Sequence, residues 1–184
     1  MSHQDLSQKP NQPERFELQP HLVGKLLEVR PLRPEDWENL FEVASDPLIW
    51  EQHPASDRYK EEVFKEFFRE ALESGGAFVV IDRKTQKIIG SSRYFGFDAR
   101  KREIEIGWTF LARSHWGGKY NGELKRLMLD HAFKFADSVV FLIGPTNVRS
   151  QKAVERIGGV LAGRRERTID GKTVAQVVYR IKKT

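Results

Sequence analysis

The chain has no cysteine among its 184 residues. That excludes a disulfide framework, a thiolate metal site and any covalent thiol chemistry from the protein itself. A catalytic sulfur would have to arrive with a cofactor. Long hydrophobic runs are also missing, since no uninterrupted apolar stretch approaches the roughly 18 residues that cross a bilayer. The opening residues, MSHQDLSQKPNQPERF, lack the apolar centre of a signal peptide. The expectation is a cytoplasmic protein with no membrane partner. Residues 1–20 have little apolar periodicity and are rich in Gln, Pro, Ser and charge, so they read as a disordered N-terminal arm outside the fold.

What remains is enough for a single domain over residues 21–184. The composition is 39% hydrophobic and 11% aromatic, which supports one buried core at this length. A net charge of +5 suits a polyanionic partner, and equally a solvated basic surface.

Periodicity divides the domain into elements. Val23 to Arg30 reads as a strand, and Arg33-Pro34-Glu35-Asp36 opens a helix whose buried stripe is Trp37, Leu40, Phe41 and Ala44. After a turn at Asp46-Pro47, apolar residues recur at three and four from Tyr59 to Leu72, a second helix ended by Gly75-Gly76. Phe78 to Ile81 and Ile88 to Phe95 form a hairpin. Glu103 to Phe110 alternates, with Ile104, Ile106, Trp108 and Phe110 expected on one face and Glu103 and Glu105 on the other. Gly117 and Gly118 precede a strong helix through Leu124, Met128 and Ala132. Val139 to Ile143 is a short apolar strand, Ser150 to Ile157 a compact helix, and Val160 onward pairs with Thr173 to Ile181 through a turn at Asp170-Gly171. This order predicts an α/β fold, an α+β arrangement around a mixed, mostly antiparallel sheet of about seven strands with helices on both faces.

Two strand-to-helix junctions can carry chemistry. The loop Trp116-Gly117-Gly118-Lys119-Tyr120-Asn121 presents backbone N–H groups at the positive end of a helix dipole and can cradle a phosphate, although an ordinary turn also uses such a glycine pair. One strand later Asn147 and Ser150 stand at the next junction, as ligand contacts or as helix caps.

Glu105-Ile106-Gly107-Trp108, the run from Trp116 to Glu123, and Asn147 to Gly159 together resemble the GNAT superfamily of N-acetyltransferases, in the branch with the ribosomal-protein-alanine acetyltransferases. The likeness covers about residues 22 to 181. It implies acetyl-CoA as co-substrate, without a metal, and an amine acceptor. The loop Trp116, Gly117, Gly118, Lys119, Tyr120 and Asn121 would bind the pyrophosphate, Thr109, Phe110 and Leu111 would pair with the pantetheine arm, and Asn147 and Ser150 would face the thioester. Acceptor choice would rest on the helices at 35–72 and the loops near Arg93 to Arg102. Trp116 departs from the first position of the family's glycine-loop pattern, and Lys119 and Asn121 stand where small residues are usual. Either the tight turn falls on Gly117-Gly118, or Lys119 keeps ordinary dihedrals and lends its charge to the phosphates.

The resemblance makes Glu105 the candidate base and Ser150 the candidate donor to the departing thiolate. Glu103, Tyr94 and Tyr120 are lesser options, while His115 and His131 read as packing or capping groups. Two other readings stay open: a catalytically silent acetyl-CoA sensor or scaffold, and a nucleic-acid module suggested by Arg164, Arg165, Arg167, Lys172, Arg180, Lys182 and Lys183. A homodimer is also left open.

Overall fold

A computed structural model describes residues 15–169 and 172–184; the expected turn at Asp170-Gly171 lies outside them, as does most of the expected arm. The strands are β1 (Leu22–Val23), β2 (Leu27–Pro31), β3 (Ala77–Asp82), β4 (Lys87–Asp98), β5 (Glu103–Leu111), β6 (Ser138–Ile143), β7 (Val160–Ile169) and β8 (Lys172–Lys182). The helices are α1 (Trp37–Ala44), α2 (Pro47–Trp50), α3 (Glu61–Glu73), α4 (Lys119–Ala132) and α5 (Val148–Glu155). They surround one eight-stranded sheet of order β1-β2-β3-β4-β5-β6-β8-β7, one strand more than the sequence suggested. Every neighbouring pair is antiparallel except β5 and β6.

The extra strand has a local cause. The expected first strand is interrupted because the Glu123 carboxylate of α4 accepts from the backbone N–H groups of Lys25, Leu26 and Leu27 at 2.7 to 2.9 Å. Those groups cannot also join a ladder, so the chain turns and β1 folds back on β2. Where the sequence predicts only a turn at Asp46-Pro47, the Asp46 side chain accepts from the Leu48 N–H at 3.1 Å and starts the short helix α2.

Side chains of β3 alternate between two cores, as a half-covered strand on each face requires. Phe78 and Val80 meet Ile104, Ile106, Leu124, Met128 and Phe141 beneath α4 and α5. Ala77, Val79 and Ile81 meet Leu40, Phe64, Phe67 and Phe110 beneath α1 to α3. The first core also takes Phe16, whose ring stands edge-on to Tyr94 at 5.0 Å, and the His131 ring nitrogen donates to the Glu17 carbonyl at 2.9 Å. The packed domain therefore begins earlier than residue 21. Phe16, with the partly buried Leu18 beside it, anchors this segment to the core.

Candidate active site

β5 and β6 run in parallel, but their ladder extends only from Glu103 to Glu105 against Ser138 to Val140. Past that point they separate. β5 carries a bulge: Arg93 lies opposite Gly107 while Ser91 lies opposite Phe110, and Trp108 takes a φ of 52°. A bulge bends its strand and increases the local twist, and here it turns β5 away from β6. Its edge from Thr109 to Leu111 faces a cleft of about 790 Å³. The bulge also overturns the expected alternation. Ile104 and Ile106 enter the core under α4, whereas Trp108 and Phe110 pack with the α1 to α3 side and Thr109 turns toward α4.

At one end of the cleft the loop enters α4. Gly117 and Gly118 have φ of 101° and 99°, a region that favours glycine, and a Cβ on either would meet nothing within 4 Å. The dihedral angle demands the glycine and the space beside it is open. The tight turn falls on the glycine pair, and Lys119 begins α4 without a left-handed φ. No side chain caps α4, and its first backbone bond joins the Gly122 N–H to the Gly118 carbonyl at 2.7 Å. The earlier N–H groups thus point out of the helix end. The Trp116 indole donates to the Leu111 carbonyl at 2.9 Å, and the Arg149 guanidinium stands 4.3 Å from its ring. Trp116, Gly117, Gly118 and Asn121 line the cleft; the Lys119 and Tyr120 side chains do not. The Tyr120 ring packs edge-on against His115 at 4.6 Å instead.

Asn147 and Ser150 both lie on the cleft wall. Asn147 caps α5, its side-chain oxygen accepting the Ser150 N–H at 3.2 Å. Glu105 is 7% exposed and is gripped by both terminal nitrogens of Arg167, at 2.5 and 3.2 Å. Burial pushes the Glu105 carboxyl above its ordinary pKa, against the opposing pull of Arg167, Arg165 and Arg93. Glu103 is occupied differently, accepting from Ser138 at 2.9 Å and Arg180 at 2.8 Å. His131 packs against Phe16 away from the cleft, whereas His115 lies on the cleft wall, bound to Asp82 at 3.3 Å. Among the described residues no three His, Asp or Glu side chains converge as a metal cluster. No helix among them is long and apolar enough to cross a membrane.

The family model for the Acetyltransferase (GNAT) domain matches residues 27–160. The chain belongs to the GNAT family of N-acetyltransferases. It is 27% identical over 144 residues to the uncharacterized N-acetyltransferase YnaD of Bacillus subtilis (strain 168), covering 75% of this chain and 81% of that protein. A GCN5-related N-acetyltransferase from Brucella melitensis superposes with a TM-score of 0.75 at 19% identity, over 92% of this chain and 80% of its own. Mycobacterium smegmatis RimJ, in complex with CoA-disulfide, superposes with a TM-score of 0.65 at 18% identity, over 85% and 81%.

The cleft of this GNAT domain also contains a buried lysine that sequence reasoning passed over. Lys125 of α4 is 4% exposed, donates to the Thr109 hydroxyl at 2.5 Å and stands 5.6 Å from the Phe141 ring, with its pKa lowered to about 7 by burial. One signal was available: Lys125 precedes Met128, Leu129 and Ala132 by three, four and seven, on the buried stripe of its helix. Arg93 and Arg58 line the cleft as well, and neither left a pattern in the chain.

Proposed function

We propose that this GNAT domain uses acetyl-CoA and transfers its acetyl group directly to a primary amine. The observation that carries the reading is one cleft joining the β5 edge, from Thr109 to Leu111, to the uncapped N-terminus of α4. Backbone N–H groups after Gly117 and Gly118 suit a pyrophosphate, and an extended pantetheine arm can bond to the β5 edge as an added strand. The RimJ complex with CoA-disulfide supports a CoA ligand in this fold. Acetyl-CoA would supply the acetyl group as an activated thioester.

The chain's own residues bind and move protons. Lys119, exposed in the first turn of α4, adds positive charge near the phosphates. Glu105 accepts a proton from the amine; a carboxylate whose pKa is raised is a better acceptor near neutrality. The grip of Arg167 uses one lone pair on each carboxylate oxygen and leaves the others for the amine or a bridging water. Ser150, positioned by the Asn147 cap, is the candidate donor to the departing sulfur. Three arginines of the basic β7–β8 hairpin, Arg165, Arg167 and Arg180, are turned onto Glu103 and Glu105, which weakens the nucleic-acid reading.

Millimolar acetyl-CoA should raise the melting temperature, since a ligand at a hundred times its Kd adds about 2.7 kcal/mol. No shift would sink the reading. Thiol release with a panel of amines then tests transfer, and binding without turnover on any amine would favour the sensor.

A further inference from the structure

Arg93 is a buried charge that the described residues leave short of hydrogen-bond partners. It sits on β4, is 4% exposed and lines the cleft, yet its Nε and Nη2 are buried without a hydrogen-bond partner among the described residues. Aromatic faces hold it: Cζ lies 4.6 Å from the Trp108 ring and 5.5 Å from the Phe67 ring. Such contacts stabilise a cation but do not satisfy its N–H groups. A buried guanidinium with donors left over is costly in the fold alone, and a cost of that kind is retained where a ligand relieves it.

The nearby carboxylates give Arg93 no hydrogen bond: Glu105 is gripped by Arg167 and acts on Arg93 only through space, and Glu73, exposed on α3, is paired with Arg69 at 2.5 Å. Glu70 is exposed on the same helix; it acts on Arg93 through space and makes no ion pair with it within 4 Å. Arg58 adds positive charge, its Cζ standing 4.6 Å from the same Phe67 ring. Across the cleft on β8, the Gln176 Oε1 is likewise buried without a partner and is an acceptor. The cleft is therefore short of an anion at Arg93 and of an N–H donor at Gln176.

Strand register sets the scale. Arg93 lies opposite Gly107 and Phe95 opposite Glu105, so Arg93 and Glu105 are diagonal neighbours, with Cα atoms about 7 to 8 Å apart. Gly107 between them presents no side chain; a Cβ there would come within 3.2 Å of the Glu105 carboxylate. A molecule whose carboxylate meets Arg93 while its amine meets Glu105 needs only a few bonds between the two groups.

From this geometry we infer that the amine acceptor carries a carboxylate a few bonds from its reacting nitrogen, as an amino acid or an acidic N-terminal residue does, and that Arg93 is the residue that selects it. The inference rests on the acetyl-transfer reading above. Polyamines and aminoglycosides, which carry no carboxylate, would set a cation against a guanidinium whose Nε and Nη2 stay unbonded. At neutral pH the guanidinium remains charged, its pKa being lowered by burial only to about 10.

The test is thiol release from acetyl-CoA with matched acceptors: alanine and β-alanine against their carboxamides, and amidated dipeptides led by Asp or Glu against those led by Asn or Gln, with spermidine as a cation without a carboxylate. Each carboxylate should exceed its amide partner in kcat/KM by about 10- to 100-fold, the range of a charge-assisted hydrogen bond. Preference within the free amino acids or within the dipeptides identifies the source. Arg93→Gln should bring the ratio near one while acetyl-CoA affinity holds, and Arg93→Lys should keep part of it. Unchanged or higher melting temperatures for Arg93→Gln would show that the fold survives. A wild type that prefers the amides or spermidine, that acetylates none of the panel while binding acetyl-CoA, or an Arg93→Gln variant that keeps the ratio would overturn the inference. Failure to bind acetyl-CoA at all would instead defeat the acetyl-transfer reading.

Discussion

Replacing Lys125 with methionine should make the protein more stable at neutral pH, and the gain should fade as the pH rises. The lysine is buried under the β5 bulge with one hydroxyl partner and an aromatic ring, and burial lowers its pKa from 10.5 to about 7. In the unfolded chain it holds its proton up to the ordinary value. Because the folded pKa is the depressed one, the unfolded state binds more protons between pH 7 and 10.5, and stability rises with pH across that window. The slope is about 1.4 kcal/mol per pH unit, so the penalty below pH 7 is on the order of 5 kcal/mol. Methionine matches the length of the stem and removes the charge, and Thr109 keeps its 2.8 Å bond to the Ser92 hydroxyl. Urea denaturation of both proteins at pH 6, 7.5, 9 and 10 gives the difference curve, in which contributions from the other titrating groups cancel. Both proteins lose stability alike above about pH 10, because burial pushes Tyr94 above its ordinary value while the unfolded chain ionises there, so the series stops at that pH. Parallel curves for the two proteins, or a variant that is less stable throughout, would refute the reasoning.

Glu105→Gln should lower turnover on an identified acceptor by about a hundredfold to ten-thousandfold while acetyl-CoA affinity holds, with the deficit shrinking as pH approaches the amine's own pKa; normal turnover across the pH range would make Glu105 a bystander. Glu103→Gln, which loosens the bonds from Ser138 and Arg180, should lower the melting temperature more than turnover per folded molecule, read by thermal denaturation beside the rate assay. Gly118→Ala should cost about 1 to 2 kcal/mol at a φ of 99°, through stability, acetyl-CoA affinity or both, and calorimetric titration with an unchanged Kd and melting temperature would show that the turn relaxes without harm.

The sequence by itself determined the order of the main strands and helices and the place of the glycine turn. Apolar spacing reports which face of an element is buried, and only glycine accepts the φ values of residues 117 and 118 without strain. It also revealed the two junctions where a ligand is expected. It could not reveal the β5 bulge, because a non-glycine residue at positive φ leaves no periodic mark, and so the strand face beyond Gly107 was read the wrong way round. Phe16 was hidden for a related reason, a lone aromatic in a polar segment having no periodicity of its own. The pairing of Glu105 with Arg167, 62 residues apart in the chain, exists only because β7 folds back beside β8 and reaches over β5. The unbonded Nε and Nη2 of Arg93 and the buried amine of Lys125 were likewise decided by tertiary structure, since burial and hydrogen bonding are properties of the space around a residue.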